Sequence, residues 1–315
     1  MKKWIAGMGM LLLLTACATD EEEQTEEAEA DAPESEEEQT VEGEGGGFLW
    51  KIEEGDTTVY LQGTIHTAFA DMYPLNSELE AAYEEADVLL PEIDWPRMDP
   101  SGGLNEEEMM DLITFDDDTL LEDVIDEEMY EEIVTIMEAQ GMPEEVVNSL
   151  EPWYITSGLQ EEEEGNATFD AGVDWHYLER AVEDGKEIEE LEGQIISLLA
   201  LNEQSLELQL EQLEDVMNPE DVDMPDVDGD DMVEMWLEGE EEPLIEYWEE
   251  VTYGEEYDRV YLWDRNERNA DIIDEILQED DGQTYLALIG AFHFFIEPGV
   301  HDFLEERGYT VERIN

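Results

Sequence analysis

Basic residues are scarce in this 315-residue chain: it has 11 lysines and arginines against 93 aspartates and glutamates, a net charge of −82. Nucleic-acid binding requires a basic patch that neutralises phosphates, so this composition excludes nucleic acid as a partner. The acidity is not confined to one tail. Residues 20–44 hold 14 of the acidic residues, which leaves 79 against nine basic residues from Phe48 onward, a net charge of −70.

A surface with this charge repels itself at ordinary ionic strength and destabilises the compact state. Concentrated salt shortens the Debye length to roughly 3 Å at 1 M and removes most of that repulsion. We therefore predict a halophilic protein with an acidic surface that works in high salt. Hydrophobic residues still make up 41% of the chain, enough to bury a core.

Cysteine is almost absent. A single residue, Cys17, excludes an internal disulfide and a CxxC motif. The sequence also lacks a P-loop, a G-x-S-x-G nucleophile elbow and an HExxH zinc motif. The chemistry that depends on these motifs is therefore not expected, and a catalytic site must be built in another way.

The apolar run at residues 4–14 is too short to cross a bilayer. It follows two lysines, which is the pattern of a secretory signal peptide. The next residues, LTAC at 14–17, resemble the bacterial lipobox, in which the cysteine becomes the lipidated first residue of the mature protein. We therefore expect a lipoprotein signal peptide over residues 1–17, with Cys17 attaching the protein to the membrane on the extracytoplasmic side.

Residues 18–47 contain no aromatic residue and end in three glycines. Acidic segments with so little apolar surface cannot bury a core and repel themselves into extended conformations. We predict a disordered acidic linker at 18–47, followed by one folded domain at 48–315.

Histidine is also scarce, since the chain has only four histidines. Two of them close the same pattern. An apolar run at residues 59–62 leads to Gly63 and then His66, and a second run at 285–289 leads to Gly290 and then His293. Each copy indicates a buried strand that ends in Gly-x-x-His. We expect the fold to bring these two strand ends together.

Strand-like runs alternate with amphipathic helical patterns along the folded part. They lie at residues 48–52, 57–63, 88–90, 186–191, 285–289 and 309–314. Residues 102–250 look mainly helical. This alternation predicts an α/β fold, with a central mixed sheet built from the two strand-Gly-x-x-His halves and a large helical insertion at about 102–250.

Two histidines and a carboxylate at strand ends form a plausible site for a divalent metal ion. Such a metal acidifies a bound water and polarises a carbonyl. His66, His293 and Glu92 are the candidate ligands, and Asp94 is a spare ligand or partner. The alternative is structural: glycine after a strand is also an ordinary turn, and a carboxylate near any histidine is expected by chance in so acidic a chain.

Three of the nine basic residues in the folded part, Arg259, Arg265 and Arg268, share one helix predicted over residues 259–278. A cation there can hold a substrate carboxylate or stabilise an oxyanion. We assign that role to Arg268, with Asn269 beside it. Ion pairing with acidic neighbours is the favoured interpretation for Arg259 and Arg265.

In order and spacing, these motifs resemble the TraB/GumN family, whose animal relatives are the TIKI proteins. The resemblance runs from about Phe48 to the C-terminus and rests on YLQGTIH at 60–66, MYPL at 72–75, ADVLLPEID at 86–94, GVD at 172–174, ERN at 267–269 and IGAFH at 289–293.

This resemblance implies an α/β core shared with erythromycin esterases and ChaN-like proteins. It implies metal ligands at His66, His293 and Glu92, with Arg268 and Asn269 near the site. TIKI proteins are metal-dependent proteases, so the implied function is a metal-dependent, peptidase-like hydrolase anchored at the cell surface. A non-catalytic lipoprotein that binds a ligand or metal, and an esterase-like hydrolase, are the alternatives.

Overall fold

The computed structural model describes residues 46–99, 101–159, 166–219, 222 and 224–315. The predicted signal peptide, Cys17 and the linker up to residue 45 lie outside the described residues. Gly46 and Gly47, the last two residues of the predicted linker, are both buried, and the Gly47 N–H donates to the Trp236 carbonyl at 3.1 Å. Glycine here serves close packing, since a Cβ on Gly47 would lie 2.6 Å from a methyl carbon of Leu79.

One mixed sheet forms the centre of the fold, with the strand order β4-β3-β5-β2-β1-β6. Strands β2, β5, β3 and β4 pair in parallel, whereas β1 is antiparallel to both β2 and β6. The strands are β1 Phe48–Glu54, β2 Thr57–Thr64, β3 Val88–Pro91, β4 Glu187–Ile188, β5 Thr284–Gly290 and β6 Glu312–Arg313. The predicted mixed α/β sheet is confirmed.

Strand β5 lies between β3 and β2, and its residues after Thr284 are all buried. A parallel strand covered on both faces has a continuous apolar sequence rather than an alternating one, as YLALIG shows. Because the three strands are parallel, their carboxyl ends lie at one edge of the sheet. Thr64 at the end of β2 pairs with Gly290, and Pro91 at the end of β3 pairs with Leu288.

Helices flank the sheet and fill the sequence between its strands. They are α1 Ser77–Glu85, α2 Glu106–Ile113, α3 Leu121–Val124, α4 Glu127–Ala139, α5 Glu144–Val147, α6 Pro152–Leu159, α7 Val173–Asp184, α8 Gln194–Asn202, α9 Leu206–Met217, α10 Gly229–Glu238, α11 Glu241–Val251, α12 Glu255–Asp258, α13 Asp264–Glu279, α14 Phe292–Phe295 and α15 Val300–Glu306. Within the described ranges, no helix is both long and apolar enough to cross a membrane.

Helices α2 to α11 lie between β3 and β5 in the sequence, with only the short β4 among them. Part of this region has a hydrophobic core of its own, separate from the core around the sheet. That second core contains Ile113, Leu121, Ile133, Met137, Val147, Leu150, Trp153, Tyr154, Ile155, Leu198 and Leu213. The helical insertion predicted at about 102–250 corresponds to this region.

Three elements differ most from their predictions, whereas the other strands differ by one or two residues at an end. The strand predicted at 186–191 is only Glu187–Ile188, and the one predicted at 309–314 is only Glu312–Arg313. Both lie at sheet edges, where one neighbour instead of two supports the pairing. The helix predicted at 259–278 begins with a π-helical turn, Arg259–Trp263, and continues as α13.

Candidate functional site

Three of the residues predicted as metal ligands converge on Gly290 at the carboxyl edge of the sheet. A Cβ built on Gly290 would lie 3.6 Å from Glu92 Oε1, 3.6 Å from His293 Cδ2 and 3.8 Å from His66 Nε2. The Gly290 N–H itself donates to Glu92 Oε1 at 2.7 Å. The absence of a side chain at Gly290 keeps the space among these three side chains open. This is the structural role of the glycine in the second Gly-x-x-His motif.

His66 is held by Asp174, which lies in the first turn of α7. The ring Nδ1 is 3.0 Å from Asp174 Oδ2, and the Thr64 hydroxyl donates to the other carboxylate oxygen at 2.9 Å. A carboxylate only accepts, so Nδ1 carries the hydrogen and Nε2 is directed away from Asp174. The second nitrogen of His66 is therefore the one available to a metal, a proton or a substrate.

The start of α7 lies unusually close to the chain that follows β2. The Val173 N–H donates to the Ile65 carbonyl at 2.9 Å. A Cβ on Gly172 would lie 2.1 Å from the His66 carbonyl oxygen, a separation that real structures do not show. Glycine at position 172 thus permits the approach that places Asp174 beside His66.

His293 is held by a different partner, Asn266 on α13. Its Nδ1 is 2.6 Å from Asn266 Oδ1, while Asn266 Nδ2 donates to the Pro298 carbonyl at 2.8 Å. Since a carbonyl only accepts, the amide nitrogen must face Pro298 and the amide oxygen must face His293. Nδ1 of His293 therefore carries its hydrogen, and Nε2 faces Glu92 Oε1 at 3.5 Å.

Glu92 lies between the two histidines and the only buried arginine of the described chain, Arg265. Its Oε2 is 3.3 Å from Arg265 Nη2. Burial raises the pKa of Glu92, and the Arg265 charge opposes that rise. When His293 is neutral, its Nε2 and Glu92 Oε1 both present electron pairs to each other, an arrangement that favours a proton or a cation between them.

Arg265 is fixed by two further groups. Its Nε donates to Glu192 Oε2 at 2.9 Å and its Nη1 donates to the Tyr261 carbonyl at 2.9 Å. Asn269 donates to the other oxygen of Glu192 at 2.8 Å. The π-helical turn that contains Tyr261 ends just before α13 begins, and such turns often occur where a helix contributes to a functional site.

The protonation states of the two histidines are driven apart by their surroundings. Burial lowers the pKa of His66, but the charge and hydrogen bond of Asp174, together with the charge of Glu92, outweigh it and raise the pKa to about 9. Burial and the charges of Arg265 and His66 lower the pKa of His293 well below its ordinary value. The site therefore favours positive charge at His66 and a neutral ring at His293.

Access to the site is one-sided. The His66 side chain is 20% exposed, whereas those of Glu92 and His293 are 4% and 1% exposed and that of Arg265 is 9% exposed. An incoming molecule therefore meets His66 first.

The donor set fits a divalent metal in its chemistry. Both imidazoles bind a partner through Nδ1, which leaves Nε2 of each ring as the nitrogen for a metal, as in metal-binding histidines. Three buried carboxylates, Glu92, Glu192 and Asp174, also outnumber the one guanidinium of Arg265. The distances among these side chains do not form a complete metal site, however. Among the described residues, no group of three or more His, Cys, Asp or Glu side chains is arranged to hold a metal ion.

The structure brings together His66, His293, Glu92 and Asn269 of the predicted site residues. Arg268 is exposed on α13, and the arginine beside Glu92 is Arg265, one helical turn earlier. Arg265 is four positions before Asn269 and therefore shares its buried face, whereas Arg268, adjacent to Asn269, is rotated about 100° away from it and is exposed. Asp94, the predicted spare ligand, pairs with Arg97 instead.

Sequence reasoning missed three residues of the site, Asp174, Glu192 and Asn266, and it expected only ion pairing for Arg265, which the contacts with Glu92 and Glu192 show. A signal was present for two of the three missed residues. Asp174 belongs to the GVD stretch and Glu192 follows the strand-like residues 186–191, but nothing in the sequence pairs either with a histidine or an arginine. Asn266 follows Arg265 as Asn269 follows Arg268, and this repeat is the only sequence signal for Asn266.

The fold and site define an α/β protein whose paired Gly-x-x-His motifs and buried acidic residues meet at the carboxyl ends of parallel strands. The family model of the TraB/PrgY/gumN family matches residues 48–313, and the chain belongs to that family. This confirms the resemblance seen in the sequence. Neither a curated protein nor a solved structure matches the chain.

Proposed function

We propose that the protein is a metal-dependent hydrolase of the peptidase type whose site is the cluster around Gly290. The observation that supports this proposal is the convergence of His66 Nε2, Glu92 Oε1 and His293 on one glycine. His66, His293 and Glu92 are the residues that would hold the metal. When bound, a divalent ion supplies a more acidic water and a polarised carbonyl.

The residues of the chain have distinct roles in this proposal. His66 is the exposed member, and Asp174 fixes its ring so that Nε2, the nitrogen left for the metal, is directed away from Asp174. Asn266 holds His293 in the tautomer that keeps its Nε2 free of hydrogen. Arg265, anchored by Glu192, supplies the positive charge next to Glu92 that stabilises negative charge on a substrate.

Hydrolysis is tested with peptide and ester libraries in concentrated KCl. Wild-type protein is compared with the His66→Ala, His293→Ala double variant and with Arg268→Ala, an exposed-residue control. We expect cleavage by the wild type and the control, loss in the double variant, and loss on chelation that is reversed by a divalent metal. Cleavage that survives both the double variant and chelation would contradict the proposal.

A non-catalytic role in binding a ligand or metal is the second candidate. The burial of Glu92 and His293 favours it, because a site reached mainly through His66 suits a small ligand as well as a substrate. The two candidates differ in one result. Metal binding that depends on the two histidines, without cleavage of any library member, supports the binding protein.

We also propose that the protein is lipid-anchored through Cys17 outside the cytoplasm. The support is the sequence of residues 1–17 alone. The test is detergent phase partition of the protein expressed from its full sequence in a bacterial host. Wild-type protein should enter the detergent phase and Cys17→Ala protein the aqueous phase; equal partition of the two would contradict the anchor.

A further inference from the structure

A row of three aromatic rings begins next to His66. The Trp95 ring lies 6.0 Å from the His66 ring in an edge-to-face contact. Phe169 packs edge-to-face on Trp95 at 5.2 Å, and Trp175 packs in the same manner on Phe169 at 5.8 Å. Trp95 is buried in a small apolar cluster with Ile93 and Leu178, and the half-buried Phe169 and Trp175 pack against that cluster. The row therefore extends from the site residue that reaches solvent towards the surface.

Backbone contacts hold this row in place. Ala68 and Thr168 exchange two hydrogen bonds of 3.0 and 2.9 Å, which ties the segment carrying Phe169 to the chain that follows His66. Trp95 opens a short 3₁₀ turn, Trp95–Arg97, just after β3. The rings thus have fixed positions relative to the two strand ends that form the site.

The charge around the row is negative. The two segments that carry it, residues 93–98 and 166–175, contain Asp94 and Asp170 against one arginine, besides Asp174, whose charge is paired with His66. The arginine, Arg97, pairs with Asp94, and Glu190 accepts a hydrogen bond from the Asp94 N–H at 2.8 Å. Aromatic faces with surrounding carboxylates attract a cation through the ring quadrupole and through the local potential. They disfavour an anion for the same reasons.

We propose that Trp95, Phe169 and Trp175 form a subsite for a positively charged group of the substrate, an ammonium or guanidinium such as that of a lysine or arginine side chain. This inference rests on the proposed function only in calling the bound molecule a substrate. A binding protein would use the same subsite for its ligand. A neutral or acidic group at this position meets no matching charge. A purely structural role for the three rings predicts no preference between these groups.

Binding to the folded domain is measured by ligand-observed NMR in concentrated KCl, with the N-acetyl methylamides of lysine, norleucine and glutamate as probes. Lysine and norleucine have similar shapes and differ in the ammonium group. We expect the lysine probe to bind about 3- to 30-fold more tightly than the norleucine probe, the range for a cation–π contact from exposed to desolvated. The glutamate probe should bind most weakly.

Phe169→Leu and Trp175→Leu keep apolar packing but remove the ring, so each should reduce the preference for lysine over norleucine. Phe303→Leu on α15 is the matched control and should leave the preference intact. An equal or reversed preference in the wild type, or a preference that survives both ring deletions, would overturn the subsite.

The corresponding methyl esters separate this inference from the proposed hydrolase. Binding selectivity without ester or peptide hydrolysis contradicts the hydrolase and leaves the subsite standing. Hydrolysis without a preference for the lysine probe contradicts the subsite and leaves the hydrolase standing.

Discussion

His66 Nδ1 lies 3.0 Å from Asp174 Oδ2, although the two residues are 108 positions apart in the sequence. Asp174 gives His66 a fixed ring orientation and a negative neighbour, and the pKa of His66 is raised to about 9. The contact joins the end of β2 to the start of α7. This hydrogen bond therefore links the protonation of His66 to the free energy of unfolding.

Stability should fall as the pH rises through the titration of His66 in metal-free protein. The pKa of His66 is about 9 in the folded state, against an ordinary value of 6.5. A raised folded-state pKa stabilises fully below pH 6.5, and this contribution is lost between about pH 6.5 and 9. At about 1.36 kcal/mol per pKa unit, the loss is about 3 kcal/mol. Unfolding by denaturant at several pH values measures it.

Asp174→Asn is the matched control for that titration, because it keeps the shape of the side chain but removes the charge that raises the His66 pKa. With burial then dominant, the pKa of His66 should fall below 6.5 and the loss of stability between pH 6.5 and 9 should largely disappear. NMR titration of the His66 ring, assigned with His66→Gln, reports the pKa. A value that stays near 9 in Asp174→Asn contradicts the role of Asp174.

Gly172→Ala should destabilise the domain. The added Cβ would lie 2.1 Å from the His66 carbonyl oxygen, so the start of α7 must move away from β2. Overpacking against backbone costs about 3 kcal/mol or more. Gly158→Ala in α6 is the control: apart from the backbone of its own helix, no atom of the described residues lies within 4 Å of the added Cβ, and alanine in a helix should stabilise by about 0.5–1 kcal/mol. Thermal unfolding compares them, and equal effects would refute the close approach.

Arg265→Met and Arg268→Met form a matched pair on α13. Removing Arg265 leaves Glu92 and Glu192 buried without their shared cation and should cost about 3–5 kcal/mol. Arg268 is exposed, so its replacement should change the free energy of unfolding by less than about 0.5 kcal/mol. Denaturant unfolding measures both values. Similar costs for the two variants would show that Arg265 does not neutralise the buried pair.

Unfolding temperature should rise steeply with KCl concentration. From Phe48 onward the chain carries a net charge of −70, and salt at 1 M reduces the Debye length to about 3 Å. Sucrose at matched viscosity is the control for non-ionic stabilisation. An unfolding temperature that does not change between 0.1 and 3 M KCl would be inconsistent with a halophilic protein.

The sequence was sufficient to predict the two histidines and the edge of the sheet where they meet. Their strands are continuous apolar runs followed by the same motif, and parallel strands place equivalent ends together. Glu92 was predicted from the resemblance, because in a chain with 79 acidic residues from Phe48 onward the residue type carries little information. The structure places its Oε1 3.5 Å from His293 Nε2 and, like His66 Nε2, next to Gly290.

The partners of the histidines were not predictable, because they come from distant helices. Asp174 and Asn266 reach the site only through the packing of α7 and α13 on the sheet. Helical periodicity places Arg265 and Arg268 within about 60° of each other, so it does not say which of the two is buried, particularly where a π-helical turn changes the phase just before them. The glycines at 46 and 47 show the same limit, since glycine serves both flexible linkers and close packing.

Divalent-metal content, measured by mass spectrometry after dialysis against Zn²⁺, Mn²⁺ or Co²⁺ in concentrated KCl, tests the convergence on Gly290 most directly. High salt and matched variants remove the contribution of surface carboxylates. Gly290→Ala adds a Cβ in ordinary van der Waals contact with Glu92 and His293, so it should fold while filling the space among the three groups. We predict that the wild type retains about one ion per chain more than both Gly290→Ala and the His66→Ala, His293→Ala double variant. Equal metal content in all three proteins would contradict the metal site.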